Sequence, residues 1–331
     1  MTARAVLGLD IGGANLKAAH TSGIAKTQHF ALWKEPGRLA SVLADVLTGW
    51  PRYERVAVTM TGELCDCFAS RREGVNAILD AITIAAPHVP IDAWRNDGSF
   101  VTVDTARKCP LQVASANWLA LAQFVGRLVP QGSALVVDFG STTTDIVALV
   151  DGKPLPRGRT DAERLRSNEL VYLGARRTPV NVLLGTAGAA EFFATIQDVF
   201  LVLGLIDEEP SNFVTPDGRP ATAQAAHARL ARMICGDIET TTAEERHRLA
   251  ASLLEQVVEQ LSGAITAVAS ALPTPPQCVV VAGSGEFLAK MALEKWPCTD
   301  NVLSLADVLG PEISAAACAH AVAVLASGWG G

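Results

Sequence analysis

The chain has 331 residues, and at a soft prior of about 150 residues per domain that length predicts two domains. Its 27 Lys and Arg against 34 Asp and Glu leave a net charge of −7, which argues against a nucleic-acid binder or a polybasic membrane-surface protein. With 49% apolar and 18% charged residues, disorder is excluded as well.

Taken in chain order, Ala5–Leu9 reads as a buried strand, Asn15–His20 as a second after a turn at Gly12-Gly13, and Ile24–Trp33 as a third. Arg38–Trp50 is predicted as an amphipathic helix, Arg55–Met60 as a strand, and the segment after Thr61-Gly62-Glu63 as a helix to Ala85. Leu111–Leu128 places Ala114, Trp118, Leu121, Val125 and Leu128 at helical spacing. At Ala134–Asp138 the opening grammar restarts: apolar strand, Asp, glycine-rich turn, then a second strand at Thr144–Val150. That repeat predicts two domains built alike, with a boundary near Val129-Pro130-Gln131-Gly132. Asp151–Thr242 is less regular and reads as an insertion with helices near Ala187–Leu203 and Pro220–Cys235. Leu249–Leu272 follows as one long helix, Cys278–Ala282 as a buried strand, and Pro311–Ala326 as an alanine-rich closing helix.

Seven cysteines (65, 67, 109, 235, 278, 298 and 318) are an odd number, and the N-terminal apolar run is too short for a secretory leader. Both features predict reduced thiols and a cytoplasmic protein. Cys65 and Cys67 lack a second pair to complete a zinc site. The longest apolar stretches, Val199–Ile206 and Ala315–Ala326, fall short of the roughly 20 residues of a membrane span. The expected partner is a small phosphorylated molecule, with no nucleic acid and no membrane.

The chemistry sits in three glycine-rich turns that follow apolar strands: Asp10–Asn15, Asp138–Asp145 and Gly283-Ser284-Gly285. Glycine lets backbone N–H groups approach an anion closely. Gly12, Gly13 and Asn15 supply the first turn, Gly140 with Ser141, Thr142 and Thr143 the second, and Gly283, Ser284 and Gly285 the third. Asp10 and Asp138, one per repeat, suit Mg²⁺, which takes one or two carboxylates alongside phosphate oxygens and water. Lys17 lies two residues after Asn15, on the same face of its strand, where it can meet negative charge. A Gly-Gly pair after a strand is ordinarily a hairpin turn, and a strand-end Asp ordinarily a cap. The order and spacing carry the signal.

Those segments, with Thr61-Gly62-Glu63, Ser115-Ala116-Asn117-Trp118, Arg177-Thr178-Pro179 and Asp217-Gly218-Arg219-Pro220, resemble the hydantoinase/oxoprolinase-like branch of the actin/Hsp70/sugar-kinase superfamily. Within it the chain is most similar to tetrahydromethanopterin-linked one-carbon pathway proteins related to the synthase of the methanofuran core. The resemblance implies an α/β fold with two actin/sugar-kinase-like domains across a central cleft. Residues 1–130, completed by the closing helix 311–327, would form one domain, and 131–310, with its insertion around 151–242, the other. Ser115–Gly126 and Ser314–Ala326 look like the two small-residue helices that cross between domains, and Ala282–Phe287 like the adenosine loop.

The resemblance also implies a transferase that joins the phenol oxygen of a γ-glutamyltyramine to an aminomethylfuran carbon carrying diphosphate, and releases the diphosphate. Asp10, Glu63 and Asp138 are then the candidates to accept the phenol proton. Arg176 and Arg177 are candidates to clamp the two carboxylate oxygens of the γ-glutamyl tail, and Asn117 to face ligand in the cleft. An ATP-dependent kinase or ATP-driven hydrolase, using the same loops for β- and γ-phosphates, is the alternative enzyme. A nucleotide-binding scaffold is the third reading.

Overall fold

A computed structural model describes residues 4–296 and 301–328; Cys298 lies outside them. In chain order it contains β1 (Val6–Ile11), β2 (Asn15–His20), β3 (Ile24–His29), α1 (Leu39–Val46), β4 (Arg55–Met60), α2 (Arg71–Ala85), β5 (Ile91–Trp94), β6 (Phe100–Thr102), α3 (Val103–Lys108) and α4 (Asn117–Leu128). Next come β7 (Ser133–Phe139), β8 (Thr144–Val150), β9 (Lys153–Pro154), α5 (Asp161–Arg166), β10 (Leu170–Val171), α6 (Asn181–Leu184), α7 (Ile196–Val202), α8 (Ala223–Met233) and α9 (Ala243–Ala269). The chain ends with β11 (Cys278–Ala282), α10 (Glu286–Glu294), β12 (Val302–Ser304), α11 (Leu305–Leu309), α12 (Pro311–Ala315) and α13 (Ala317–Ser327).

The strands form two sheets of the same design. The first runs β3-β2-β1-β4-β5-β6; the second runs β10-β8-β7-β11-β12, with β9 pairing β8. In each sheet the Asp-bearing strand is antiparallel to its hairpin partner and parallel to the strand beyond: β1 with β2 and β4, β7 with β8 and β11. Strands buried on both faces explain why β1, β7 and β11 read as continuous apolar runs rather than alternating ones.

The two lobes exchange helices. The helix α4 precedes the second sheet in the chain yet packs on β7, β8 and β9, whereas α13 follows that sheet and packs on β1, β2 and β4. The two helices also pack on each other, and Ala120, Ala122, Ala321 and Ala323 lie buried in one shared core. Small side chains allow that close packing.

Several boundaries differ from the sequence reading. The helix expected over Leu111–Leu128 begins only at Asn117, because Pro110 opens a 3₁₀ turn and Ser115 takes φ 45°. The closing helix breaks at Ala316 into α12 and α13, and β3 ends at His29 instead of Trp33. The helix expected from Leu249 starts at Ala243, where Thr242 and Glu245 form a capping box. The six described cysteines are free thiols. Among the described residues no helix is long and apolar enough to cross a membrane.

Candidate active site

The two Asp turns close in the same way. Gly12 N–H donates to the Asn15 carbonyl at 3.0 Å, and Gly140 N–H to the Thr143 carbonyl at 2.9 Å. The turns meet across the lobes, where Asn15 Nδ2 donates to Ser141 Oγ at 3.5 Å. They line one cleft of about 430 Å³.

Asp10, Lys17, Asp138 and Asp145 face this cleft together. Asp10 is 5% exposed and its Oδ1 is buried with no hydrogen-bond partner. Burial pushes the Asp10 carboxyl above its ordinary range, against the pull of Lys17. Asp138 is raised to about 6, first by burial, with Asp145 adding to the rise and Lys17 opposing it. Burial works against the Lys17 ammonium, but Asp10, Asp138, Cys318 and Asp145 outweigh it and raise its pKa. No carboxylate lies within ion-pair distance of Lys17 among the described residues. Asp145, by contrast, is bound by Arg164 at 2.6 Å, and that guanidinium lies 4.0 Å from the Trp118 ring centre.

Gly12, Gly13, Asn15, Gly140, Ser141, Thr142 and Thr143 all line the cleft, as do Asn117 and Arg177. Asn117 donates to Cys318 Sγ at 3.6 Å, and that thiol lies 3.6 Å from Asp138 Oδ2. Arg177 stacks on Trp33 at 4.4 Å, no carboxylate binds it among the described residues, and burial lowers its pKa.

Three sequence expectations are placed elsewhere. Arg176 binds Glu209 through both terminal guanidinium nitrogens and does not line the cleft. Glu63 is fully buried behind the wall, where Ser115 Oγ donates to its Oε1 at 2.7 Å. The Gly283–Gly285 turn is packed against Phe139: Gly285 N–H donates to the Phe139 carbonyl at 2.9 Å, and a Cβ on Gly285 would lie 2.3 Å from that ring. It does not open on the cleft. Glu286, just beyond, accepts from Ser304 and Ser314 and ties α10 to the last helices.

Sequence reasoning assigned no site role to Asp145 on β8, to Asp161, Arg164 and Tyr172, which bring the inserted segment to the cleft, or to Trp33, Cys65 and Ser115 on the first lobe's side. For Asp145 a signal existed: it stands seven residues after Asp138, as Lys17 does after Asp10.

A family model described as hydantoinase/oxoprolinase matches residues 54–326. The chain belongs to this family. It is 34% identical, over 97% of both chains, to the "(4-{4-[2-(gamma-L-glutamylamino)ethyl]phenoxymethyl}furan-2-yl)methanamine synthase" of Methanocaldococcus jannaschii. A protein of the same name from Methanococcus vannielii is 31% identical over 62% of this chain and 95% of its own. Family membership at this similarity makes the chain an enzyme, in the class of transferases that join two substrates. Two solved structures share its fold. One is a nucleotide-free acetone carboxylase (TM-score 0.56, 10% identity, 97% of this chain and 70% of that one). The other is a ROK family glucokinase from Streptomyces griseus (TM-score 0.50, 14% identity, 96% of this chain and 98% of that one). The chain's fold is thus the two-lobed actin/sugar-kinase architecture.

Proposed function

We propose that this enzyme forms the phenoxymethyl ether named by its relatives, joining a γ-glutamyltyramine-type phenol to an aminomethylfuran diphosphate with release of diphosphate. One observation carries the choice of leaving group. Two matched turns, bridged by Asn15 and Ser141, line a cleft of about 430 Å³, while in the third glycine turn Gly285 is packed on Phe139 and Gly283 lies behind Asp138. That arrangement suits a diphosphate without an adenosine.

The residues present fit Mg²⁺. Asp10 Oδ1 is a buried oxygen without a partner, and Asp138 stands opposite on the matching hairpin. Mg²⁺ needs only one or two carboxylates, because phosphate oxygens and water complete its shell. Asp10 and Asp138 would hold the ion, which when bound neutralises charge on the departing diphosphate.

The protein's own groups do the rest. Backbone N–H groups of both turns, the hydroxyls of Ser141, Thr142 and Thr143, and Lys17 bind the diphosphate and stabilise the charge it gains as it leaves. The furan shares positive charge on its CH₂ carbon as the C–O bond to diphosphate breaks. The phenol oxygen attacks that carbon, the electron pair departs with the diphosphate, and the phenol proton passes to a base on the cleft wall. Trp33 and Tyr172 offer aromatic surface for the two rings, and Arg177 a cation for the γ-glutamyl carboxylate.

The test supplies purified protein with Mg²⁺, the phenol and the furan diphosphate, and measures ether and free diphosphate. Equal amounts of both without nucleotide are expected. Ether formed only with ATP, with ADP appearing in step, would overturn this reading in favour of an ATP-dependent enzyme.

A further inference from the structure

We infer that Ser115 and Glu63 form a proton relay on the cleft wall: Ser115 Oγ takes the phenol proton and passes its own to Glu63. The inference rests on the ether-forming reaction above and names the base that reaction requires.

Ser115 lines the cleft, and its hydroxyl donates to Glu63 Oε1 at 2.7 Å. The serine holds an unfavourable backbone. Its φ is 45°, one of four positive values among described non-glycine residues, and two indoles secure the turn around it. Trp118 Nε1 donates to the Ser115 carbonyl at 2.9 Å and Trp94 Nε1 to the Ala116 carbonyl at 3.1 Å. Strain that neighbours enforce this firmly aims a side chain instead of merely turning the chain. Here it points the hydroxyl toward a carboxylate 52 residues earlier in sequence.

Glu63 is built to receive a proton. It is fully buried, and its Oε2 has no hydrogen-bond partner. Burial raises its pKa, while the Ser115 hydrogen bond and Arg71 pull it back and Asp161 adds to the rise. The charged and titratable groups around it are Arg71 on α2, with Nη1 at 3.8 Å, Asp161 on α5, which binds Arg71, and Cys65 and Tyr172. Asp10 and Asp138 are less suited to this step, because they face Lys17 at the diphosphate end.

The step balances. The phenol O–H bond breaks as its oxygen bonds to the furfuryl carbon, Ser115 Oγ gains that proton, and the original Ser115 proton moves to Glu63 Oε1. Return of the proton to solvent after product release resets the pair. Ser115 is the catalytic residue that touches substrate, and Glu63 acts through it.

The test uses the full chain with Ser115→Gly, Glu63→Gln and the double variant. Glycine accepts φ 45° and glutamine replaces the carboxylate at equal size, so both singles should keep the wild-type melting temperature and diphosphate affinity. Each should lower kcat by about 10²–10⁴-fold, the range of general acid–base catalysis, and the double variant should be no worse than the poorer single. The wild-type kcat should rise with pH through the ionisation of Glu63, and Glu63→Gln should abolish that rise. A kcat within threefold of wild type in Ser115→Gly, or an unchanged acid limb in Glu63→Gln, would overturn the relay while leaving ether formation standing. Absence of ether with the wild-type enzyme would overturn both.

Discussion

Lys17 and Asp145 occupy the same position in the two halves of the molecule. Each pairs across its hairpin with the strand-end aspartate, Lys17 with Asp10 and Asp145 with Asp138, seven residues along the chain in both cases. The first repeat thus brings a cation to the cleft and the second an anion, which Arg164 binds. Among the described residues Lys17 has no ion-pair partner of its own, and the carboxylates around it favour its charged form. Lys17→Met should therefore weaken diphosphate binding by about 10–100-fold, the range for a charge-assisted hydrogen bond worth about 1.5–3 kcal/mol. Calorimetric titration of diphosphate with Mg²⁺ measures this.

Asp138 predicts an opposition between stability and activity. Its carboxyl is raised from 3.8 to about 6 in the fold, chiefly by burial. Its contribution to stability is complete below about pH 4 and is lost as pH rises through about 6. Without metal, in EDTA, Asp138→Asn should melt a few degrees above wild type at pH 7.5, and the gap should close near pH 4. The same variant should have no measurable ether synthesis.

The diphosphate turns should act on the departing charge. Thr142→Val removes a hydroxyl that lines the cleft. Loss of one such donor costs about 2.7–4 kcal/mol when it acts in the transition state. The variant should lower kcat by about 10²–10³-fold and leave KM for the furan substrate within a few fold. Steady-state kinetics separates the two.

Gly13 is held small by Cys65. A Cβ at Gly13 would lie 2.6 Å from the Cys65 sulfur. Gly13→Ala should therefore destabilise by about 1–3 kcal/mol, as overpacking does. Gly13→Ala in a Cys65→Ala background should recover most of the lost melting temperature.

The two neighbouring arginines should differ sharply. Arg177, stacked on Trp33 in the cleft, should raise KM for the γ-glutamyl phenol about tenfold or more when changed to alanine. Arg176 is tied to Glu209 outside the cleft, so Arg176→Ala should leave kcat and KM within twofold.

The architecture and the paired glycine turns of the cleft were legible in the amino-acid order. Buried strands, strand-end Asp10 and Asp138, and their glycine turns are local features, and a repeated local pattern forces a repeated local structure. For that reason the matched hairpins and most of their lining residues were found from sequence. The short strands β5, β6, β9, β10 and β12 escaped, because two to four residues carry too little periodicity to stand out. Which of the two adjacent arginines reaches the cleft was decided by Glu209, 33 residues beyond Arg176. The role of Glu63 was decided by Ser115 and that of Gly285 by Phe139, each contact joining segments distant in the chain. Local chemistry determined by itself where the glycine turns and their strand-end carboxylates stand. Only the tertiary packing decided which side chains face the cleft, because burial and partnership depend on contacts that residue order does not display.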